Sequence, residues 1–250
     1  MTTVEFKEPK LTFTEDWVFF TVQGEGKYVG HPAVFLRLSA CNLRCEWSNG
    51  DGTTTKCDTP YSSHSPEKNI KTVKETVDAV LVHKCKKVVI TGGEPMMQKN
   101  VDLLVRELVK KGCEVTIETN GTIYRDMQVP VFWSISPKLA TSCPHTSKHF
   151  EMHHKKRLNI MAVASMVKQR HQLKFVVNRE EDISEIKMML TMLKDFTGKS
   201  YDKSVYLMPQ GITQEQFDAK LPWLVEQAKF NGWNITDRLH IRIWGSKRGV

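Results

Sequence analysis

Nowhere in the 250 residues is there an apolar run approaching the roughly 18 that a membrane-spanning helix requires. The opening MTTVEFKEPK lacks the apolar centre of a secretory signal, so a cytoplasmic protein with no membrane partner is expected. Internal repeats and low-complexity tracts are also missing, which leaves one βα-wound unit as the simplest organisation. Six cysteines are enough for three disulfides. A compartment that keeps thiols reduced makes metal ligation or plain burial the better expectation.

Hydrophobic residues make up 40% of the chain and charged residues 26%, near the averages for folded soluble domains. The length suits one large domain over residues 1–250. The net charge of +8 would attract nucleic acid, but an anionic small substrate accounts for it equally well. Basic residues are densest over residues 145–171, which read as an insertion carrying a helix with a solvated face.

Short β-rich runs at 33–38, 88–91, 114–118, 131–135, 173–177, 205–208 and 239–243 alternate with helical periodicities. That order predicts an α/β fold with a mainly parallel sheet. Val73, Val77, Val80 and Leu81 mark one amphipathic helix, and Val101, Leu104, Val105 and Leu108 a second, with Asn100 as its cap. A third helix is predicted over 182–196. Thr213 and Gln216 form a capping box for a fourth, which Pro222 is expected to kink or restart. In such sheets reactive groups gather on loops leaving the carboxyl ends of the strands.

The first of these loops carries Cys41, Cys45 and Cys57 among Gly, Thr and Asn residues. A closed structural zinc site takes four ligands, and a cubane iron–sulfur cluster usually takes four cysteines, so three leave one iron open to a ligand. Cys85, Cys113 and Cys143 lack that setting and read as structural. After the next strand, Thr91-Gly-Gly-Glu94-Pro lets backbone approach a ligand closely, and its carbonyls with Glu94 suit an ammonium group. An ordinary strand-to-helix turn would use the same residues.

Cys41-x3-Cys45, Trp47 and Cys57-Asp58-Thr59, followed by Gly92-Gly-Glu-Pro95, resemble the cluster loop and cofactor turn of radical S-adenosylmethionine enzymes. The chain departs from that pattern at Ser48, where a third cysteine is usual, and residues 48–56 read as an insertion before Cys57. The lead-in Phe20-Thr-Val-Gln-Gly-Glu-Gly26 narrows the resemblance to the 7-carboxy-7-deazaguanine synthase family. The resemblance implies a partial (β/α) barrel of the radical S-adenosylmethionine type. It also implies a [4Fe-4S] cluster on Cys41, Cys45 and Cys57, S-adenosyl-L-methionine, and Mg2+ on Thr59.

The implied substrate is a carboxylated pterin, held by Val22, Gln23, Gly24, Glu25, Arg37, Thr91 and His240. A carboxylate such as Glu25 can accept both N–H groups of the amino-pyrimidine edge, and the Arg37 fork can hold the substrate carboxylate. Arg37 alternates with Leu36 and Leu38, so it reaches the substrate if its face is the barrel interior. Gly93, Glu94, Asn120, Ser136, Pro137 and Lys138 are the implied contacts to the methionine cofactor, and Glu25, Arg37 and Lys138 the implied catalytic residues. The family also implies an external electron donor such as flavodoxin and a homodimer, with no direct nucleic-acid partner. Two rivals stand beside this reading: another radical enzyme, such as an activating enzyme, and a zinc-containing nucleic-acid-binding module.

Overall fold

The computed structural model describes residues 8–145 and 147–250, so the first seven residues of the opening segment and Thr146 of the basic insertion lie outside the described residues. The chain enters as a long strand, β1 (Lys10–Val22), antiparallel to β2 (Pro32–Leu38). A separate hairpin follows, β3 (Glu46–Ser48) with β4 (Thr54–Lys56), then the short helix α1 (Pro60–Ser63). Strand β5 (Asn69–Thr72) adds to the free edge of β1. Next come α2 (Val73–Val82), β6 (Lys87–Gly92), α3 (Val101–Lys110), β7 (Glu114–Thr119) and β8 (Phe132–Ile135).

Two short helices, α4 (Phe150–Lys156) and α5 (Ile160–Met166), precede β9 (His171–Val177) and α6 (Glu181–Thr197). The chain closes with β10 (Val205–Pro209), α7 (Gln214–Asn231), β11 (Asn234–Ile235) and α8 (Leu239–Trp244). The sheet order is β11-β10-β9-β8-β7-β6-β2-β1-β5. From β2 to β11 every neighbouring pair is parallel. The sheet is therefore a βα-wound open barrel with an antiparallel flap at one edge.

Alternation along these strands sorts the side chains. Leu36, Ile90, Ile117, Trp133, Ile135, Leu173, Val205 and Leu207 are fully buried in one hydrophobic core. They meet Val80 of α2, Leu104 and Leu108 of α3, Ile186 and Leu193 of α6 and Leu224 of α7 in that core. Full burial of each such side chain contributes about 1.5–3 kcal/mol. The opposite phase holds Arg37 paired with Thr91, and Glu118 paired with Ser134, which pairs in turn with Gln172. This polar row faces the interior of the barrel.

Local signals explain most boundaries. Thr72 caps α2 with a reciprocal bond set to Glu75, and Thr213 does the same for α7 with Gln216. Gly198 and Gly232 end α6 and α7 in the left-handed conformation. Asn100 stands at the start of α3 but gives no cap; its amide donates to the Lys10 carbonyl at 2.9 Å, tying α3 to β1.

Three expectations need correction. Residues 239–243 are the helix α8, not a strand, because the sheet already ends on β11 and Leu239 N–H is drawn to the Gly24 carbonyl at 2.9 Å. Pro222 does not restart α7, which runs on through it. The proline removes only the bond to the carbonyl of Asp218, an exposed residue. The basic insertion is not simply a solvated face: Ala162, Val163, Ala164 and Met166 of α5 are buried, and so are His153 and Arg157.

Candidate active site

The carboxyl ends of the strands and the loops leaving them enclose a cavity of about 580 Å³. Its wall carries the polar row: Thr91 Oγ1 donates to Glu118 Oε2 at 2.7 Å, and Gln23 Nε2 donates to Glu118 Oε1 at 3.1 Å. Gln23 Oε1 accepts the Glu25 backbone N–H at 3.0 Å, so both ends of its amide brace the lead-in turn. At Gly24 a Cβ would collide with the His240 ring, and at Gly93 with the carbonyls of Ala40 and Ser62. Only glycine permits these two close approaches.

Cys41, Cys45 and Cys57 line one end of the cavity. The hairpin β3–β4 occupies the lengthened segment between Cys45 and Cys57 and returns the chain to its start. Cys57 N–H donates to the Cys45 carbonyl at 3.1 Å. A tight turn closes the hairpin, with Asn49 N–H on the Thr53 carbonyl at 3.0 Å and Asp51 accepting from Thr53 N–H at 2.9 Å. The three sulfurs thus share one wall despite the insertion.

An apolar pad of Leu43, Trp47, Val176 and Met208 surrounds Cys45, and Cys41 and Cys57 pack against it. Burial pushes the Cys41 thiol up to about 11, and burial also raises Cys45 and Cys57. Such thiols ionise only when a metal replaces the proton. Trp47 Nε1 is a buried donor without a partner in the same pad. Among the described residues, no three His, Cys, Asp or Glu side chains converge closely enough to chelate a single ion. Thiolates that each bind a different iron of a cubane stand wider apart than ligands of one tetrahedral ion. One buried and two half-buried cysteines, an orphaned donor and an apolar pad fit an iron–sulfur cluster with one open iron.

The other end of the cavity is a buried charge network. Glu25 pairs with Lys174, and the Arg238 Nε lies 3.3 Å from Glu25 Oε1. Arg238 also donates to Asp58 at 2.9 Å and to the Gly211 carbonyl at 3.0 Å. Burial opposes ionisation of Glu25, but Lys174, Arg238 and His240 outweigh it and hold the carboxyl well below the usual range. Asp58 is lowered in the same way, against burial, chiefly by Arg238. Arg37 differs: its buried Nε has no hydrogen-bond partner, and its guanidinium lies 5.3 Å from the centre of the Phe19 ring and 6.0 Å from that of Tyr61.

Of the residues predicted from sequence, Val22, Gln23, Gly24, Glu25, Arg37, Cys41, Cys45, Cys57 and Thr59 line the cavity together. So do Thr91, Gly93, Asn120, Ser136, Lys138 and His240. Lys138 donates to Ser136 Oγ at 2.8 Å. Glu94 and Pro137 do not line it. The Glu94 carboxylate is turned inward, accepting from Met96 N–H at 2.9 Å, Thr119 Oγ1 at 2.8 Å and Asn120 N–H at 2.7 Å. It welds the Gly-Gly-Glu-Pro turn to the end of β7 and leaves the backbone of Gly92 and Gly93 at the cavity.

Lys174, Arg238 and Glu118 were missed as site residues. The first and last carried a signal, since each has the phase of the polar row in its strand, like Gln172 and Thr116. Arg238 carried none, because the turn before α8 brings it in from the far end of the chain.

The sequence model of the Radical SAM superfamily matches residues 37–138, which span the cysteine loop through Lys138. The fold and the three-thiol wall thus define a radical S-adenosylmethionine protein, a class that binds a [4Fe-4S] cluster and S-adenosylmethionine. The 7-carboxy-7-deazaguanine synthase of Rhodopirellula baltica is 38% identical over 248 residues, covering 97% of this chain and 90% of that protein. The synthase of Halobacterium salinarum is 34% identical over 246 residues, covering 94% and 91%. This chain belongs to the 7-carboxy-7-deazaguanine synthase family. A crystal structure of QueE from Escherichia coli shares the fold, with a TM-score of 0.69 at 22% identity over 92% of this chain and 95% of that one. No helix among the described residues is long and apolar enough to cross a membrane.

Proposed function

We propose that this chain contracts the ring of 6-carboxy-5,6,7,8-tetrahydropterin to form 7-carboxy-7-deazaguanine, with loss of ammonia. The observation that carries this reading is one cavity lined by three cysteines, by Arg37 with its buried Nε unpartnered, and by the ionised Glu25 carboxylate. Cluster and S-adenosylmethionine, when bound, supply a carbon-centred radical that takes a hydrogen atom from the substrate. The residues of the chain bind, orient and exclude water.

Arg37 receives the substrate carboxylate, because its guanidinium is held between two aromatic rings without an acidic partner of its own. Glu25 stays ionised at neutral pH and keeps lone pairs free for the amino-pyrimidine edge, while Lys174 and Arg238 fix its orientation. The Gln23–Glu118–Thr91 chain holds the lead-in turn against the strands, so Glu25 and Arg37 keep their spacing. Ser136, Lys138 and Asn120, with the Gly92–Gly93 backbone, form the wall that orients the methionine cofactor. Thr59 Oγ1, 3.4 Å from Cys57 Sγ, is the proposed magnesium ligand, with substrate oxygens and water completing its shell.

The reading carries an external one-electron donor, because a cluster that cleaves S-adenosylmethionine must first be reduced. It also carries a homodimer, for which Phe20 and Val82 offer exposed apolar surface. Anaerobic reconstituted protein given S-adenosylmethionine, dithionite, Mg2+ and the carboxypterin should yield both the deazapurine and ammonia. Cleavage of the cofactor without a deazapurine would retain the class and reject the substrate. A colourless, zinc-loaded protein would reject the class.

A further inference from the structure

The segment before α8 is laced to the lead-in turn. Gly26 N–H donates to Thr236 Oγ1 at 2.7 Å, Leu239 N–H donates to the Gly24 carbonyl at 2.9 Å, and the His240 ring lies against Gly24. Arg238 stands between these anchors, buried, with its own N–H held by Asp237 Oδ1 at 2.7 Å. Its backbone is pinned on both sides, so the direction in which its guanidinium leaves is set by the turn that carries Glu25.

That guanidinium touches three other parts of the chain. Nη1 donates to Asp58 Oδ2 at 2.9 Å and to the Gly211 carbonyl at 3.0 Å. Nε lies 3.3 Å from Glu25 Oε1, within range of a charge pair, yet it has no hydrogen-bond partner among the described residues. Asp58 carries the line onward, because its Oδ1 lies 3.7 Å from Cys57 Sγ, and Thr59 Oγ1 lies 3.4 Å from the same sulfur. Lys174 does not duplicate the bridge: among the described residues its ion pair is with Glu25 alone. The donors of a guanidinium share one rigid plane, so a shift of either carboxylate turns the plane that the other one meets.

We propose that Arg238 is a positioning residue that couples the substrate turn to the cluster loop, tying the placement of the Cys57–Thr59 segment to that of Glu25. The inference rests on the function proposed above, in which Glu25 receives the amino-pyrimidine edge. A pterin settling on Glu25 draws on the same fork that holds Asp58, so the ring and the loop bearing Cys57 are set against each other and not separately. Registration matters to a hydrogen-atom transfer, for which a misplacement of about 1 Å costs on the order of 100-fold.

The test compares Arg238→Lys, Asp58→Asn and the double variant as anaerobic holoenzymes. Carboxypterin affinity is measured by calorimetry without reductant, and the number of S-adenosylmethionine molecules cleaved per deazapurine formed is counted with dithionite. Lysine keeps the charge beside Glu25 but cannot serve Glu25, Asp58 and the Gly211 carbonyl in one plane; asparagine keeps the shape of Asp58 without the ion pair. Each single variant should bind the pterin within about three-fold of wild type and cleave about ten-fold more cofactor per deazapurine. The double variant should be no worse than the poorer single one, since both changes cut one link. Asp58→Asn, the milder change, carries the comparison where Arg238→Lys fails to fold.

A wild-type cleavage ratio in Asp58→Asn, or losses that multiply in the double variant, overturns the proposal. So does a loss of pterin affinity with the ratio unchanged, which would make Arg238 a charge partner of Glu25 and nothing more. The link is also read without turnover, by urea denaturation of the metal-free protein. Glu25→Gln and Asp58→Asn should be non-additive by about ten-fold in the unfolding equilibrium constant, and additive in the Arg238→Lys background. Direct repulsion between the two carboxylates would instead persist in that background. The two failures stay apart: a wild type that forms no deazapurine sinks the proposed substrate, whereas additivity in the presence of Arg238 sinks the coupling.

Discussion

His153 offers a measurement in which structure fixes both sign and size. Burial, reinforced by the positive charges of Arg157 and Lys138, lowers its pKa from 6.5 to about 4. The folded protein therefore holds it neutral, with Nδ1 free to accept the Arg44 N–H. Above pH 6.5 neither state carries the proton. As pH falls from 6.5 towards 4 the unfolded chain takes up the proton first, and stability declines over that window. The shift corresponds to a loss of about 3 kcal/mol by pH 4, with no further change below it. Urea denaturation of the metal-free protein at pH 7.5, 6, 5 and 4.5 measures it. His153→Gln retains an acceptor without a titrating group, and its stability should fall less with acid by most of that amount. His153→Leu should already lose about 1–3 kcal/mol at pH 7.5, because it strands a buried N–H. An acid slope in His153→Gln equal to that of the wild type would refute the account.

Other consequences are equally direct. Cys57→Ala should lower iron content and bleach the reconstituted protein, whereas Cys113→Ala and Cys143→Ala should leave the visible spectrum unchanged. Arg37→Gln should cut kcat/KM for the carboxypterin about 100-fold, mostly through KM, while the affinity for S-adenosylmethionine stays put. Breaking the buried pair with Lys174→Met should destabilise the fold by about 3–5 kcal/mol, and adding Glu25→Gln should restore much of it, as read in denaturant titrations of both variants. Leu104→Ala, in the core between α3 and the sheet, should cost about 2–5 kcal/mol without altering iron content.

Six of the seven runs predicted as strands are strands in the structure, because their alternation or apolar continuity survives in the chain. The same alternation placed Arg37 opposite Leu36 and Leu38, which the buried leucines bear out. Strand β1 was not read, since its pairing with β2 shifts register between Phe13 and Val18 and the periodicity breaks there. Residues 239–243 alternate as a strand would, but alternation is local. Only the completed sheet edge and the Gly24 carbonyl decide that they coil over the cavity mouth. Glu94 was read as facing the cofactor because its turn motif was visible, whereas the three donors that turn its carboxylate inward come from both sides of the β6–β7 crossover. Lys174 escaped although its strand phase matches Gln172, and Arg238 escaped with no such signal, because a lone cation in sequence looks solvated. Their burial depends on Glu25, more than half the chain away.

The backbone bond from Cys57 to Cys45 has an engineering consequence. Because the two flanks of the β3–β4 ribbon are stitched together at its root, the sulfurs do not sense how much chain is looped out beyond them. Its exposed tip, Asn49 to Thr53, is then a place where a peptide tag or a fluorophore can be spliced in, or residues trimmed away, with the iron-binding wall left at its original spacing.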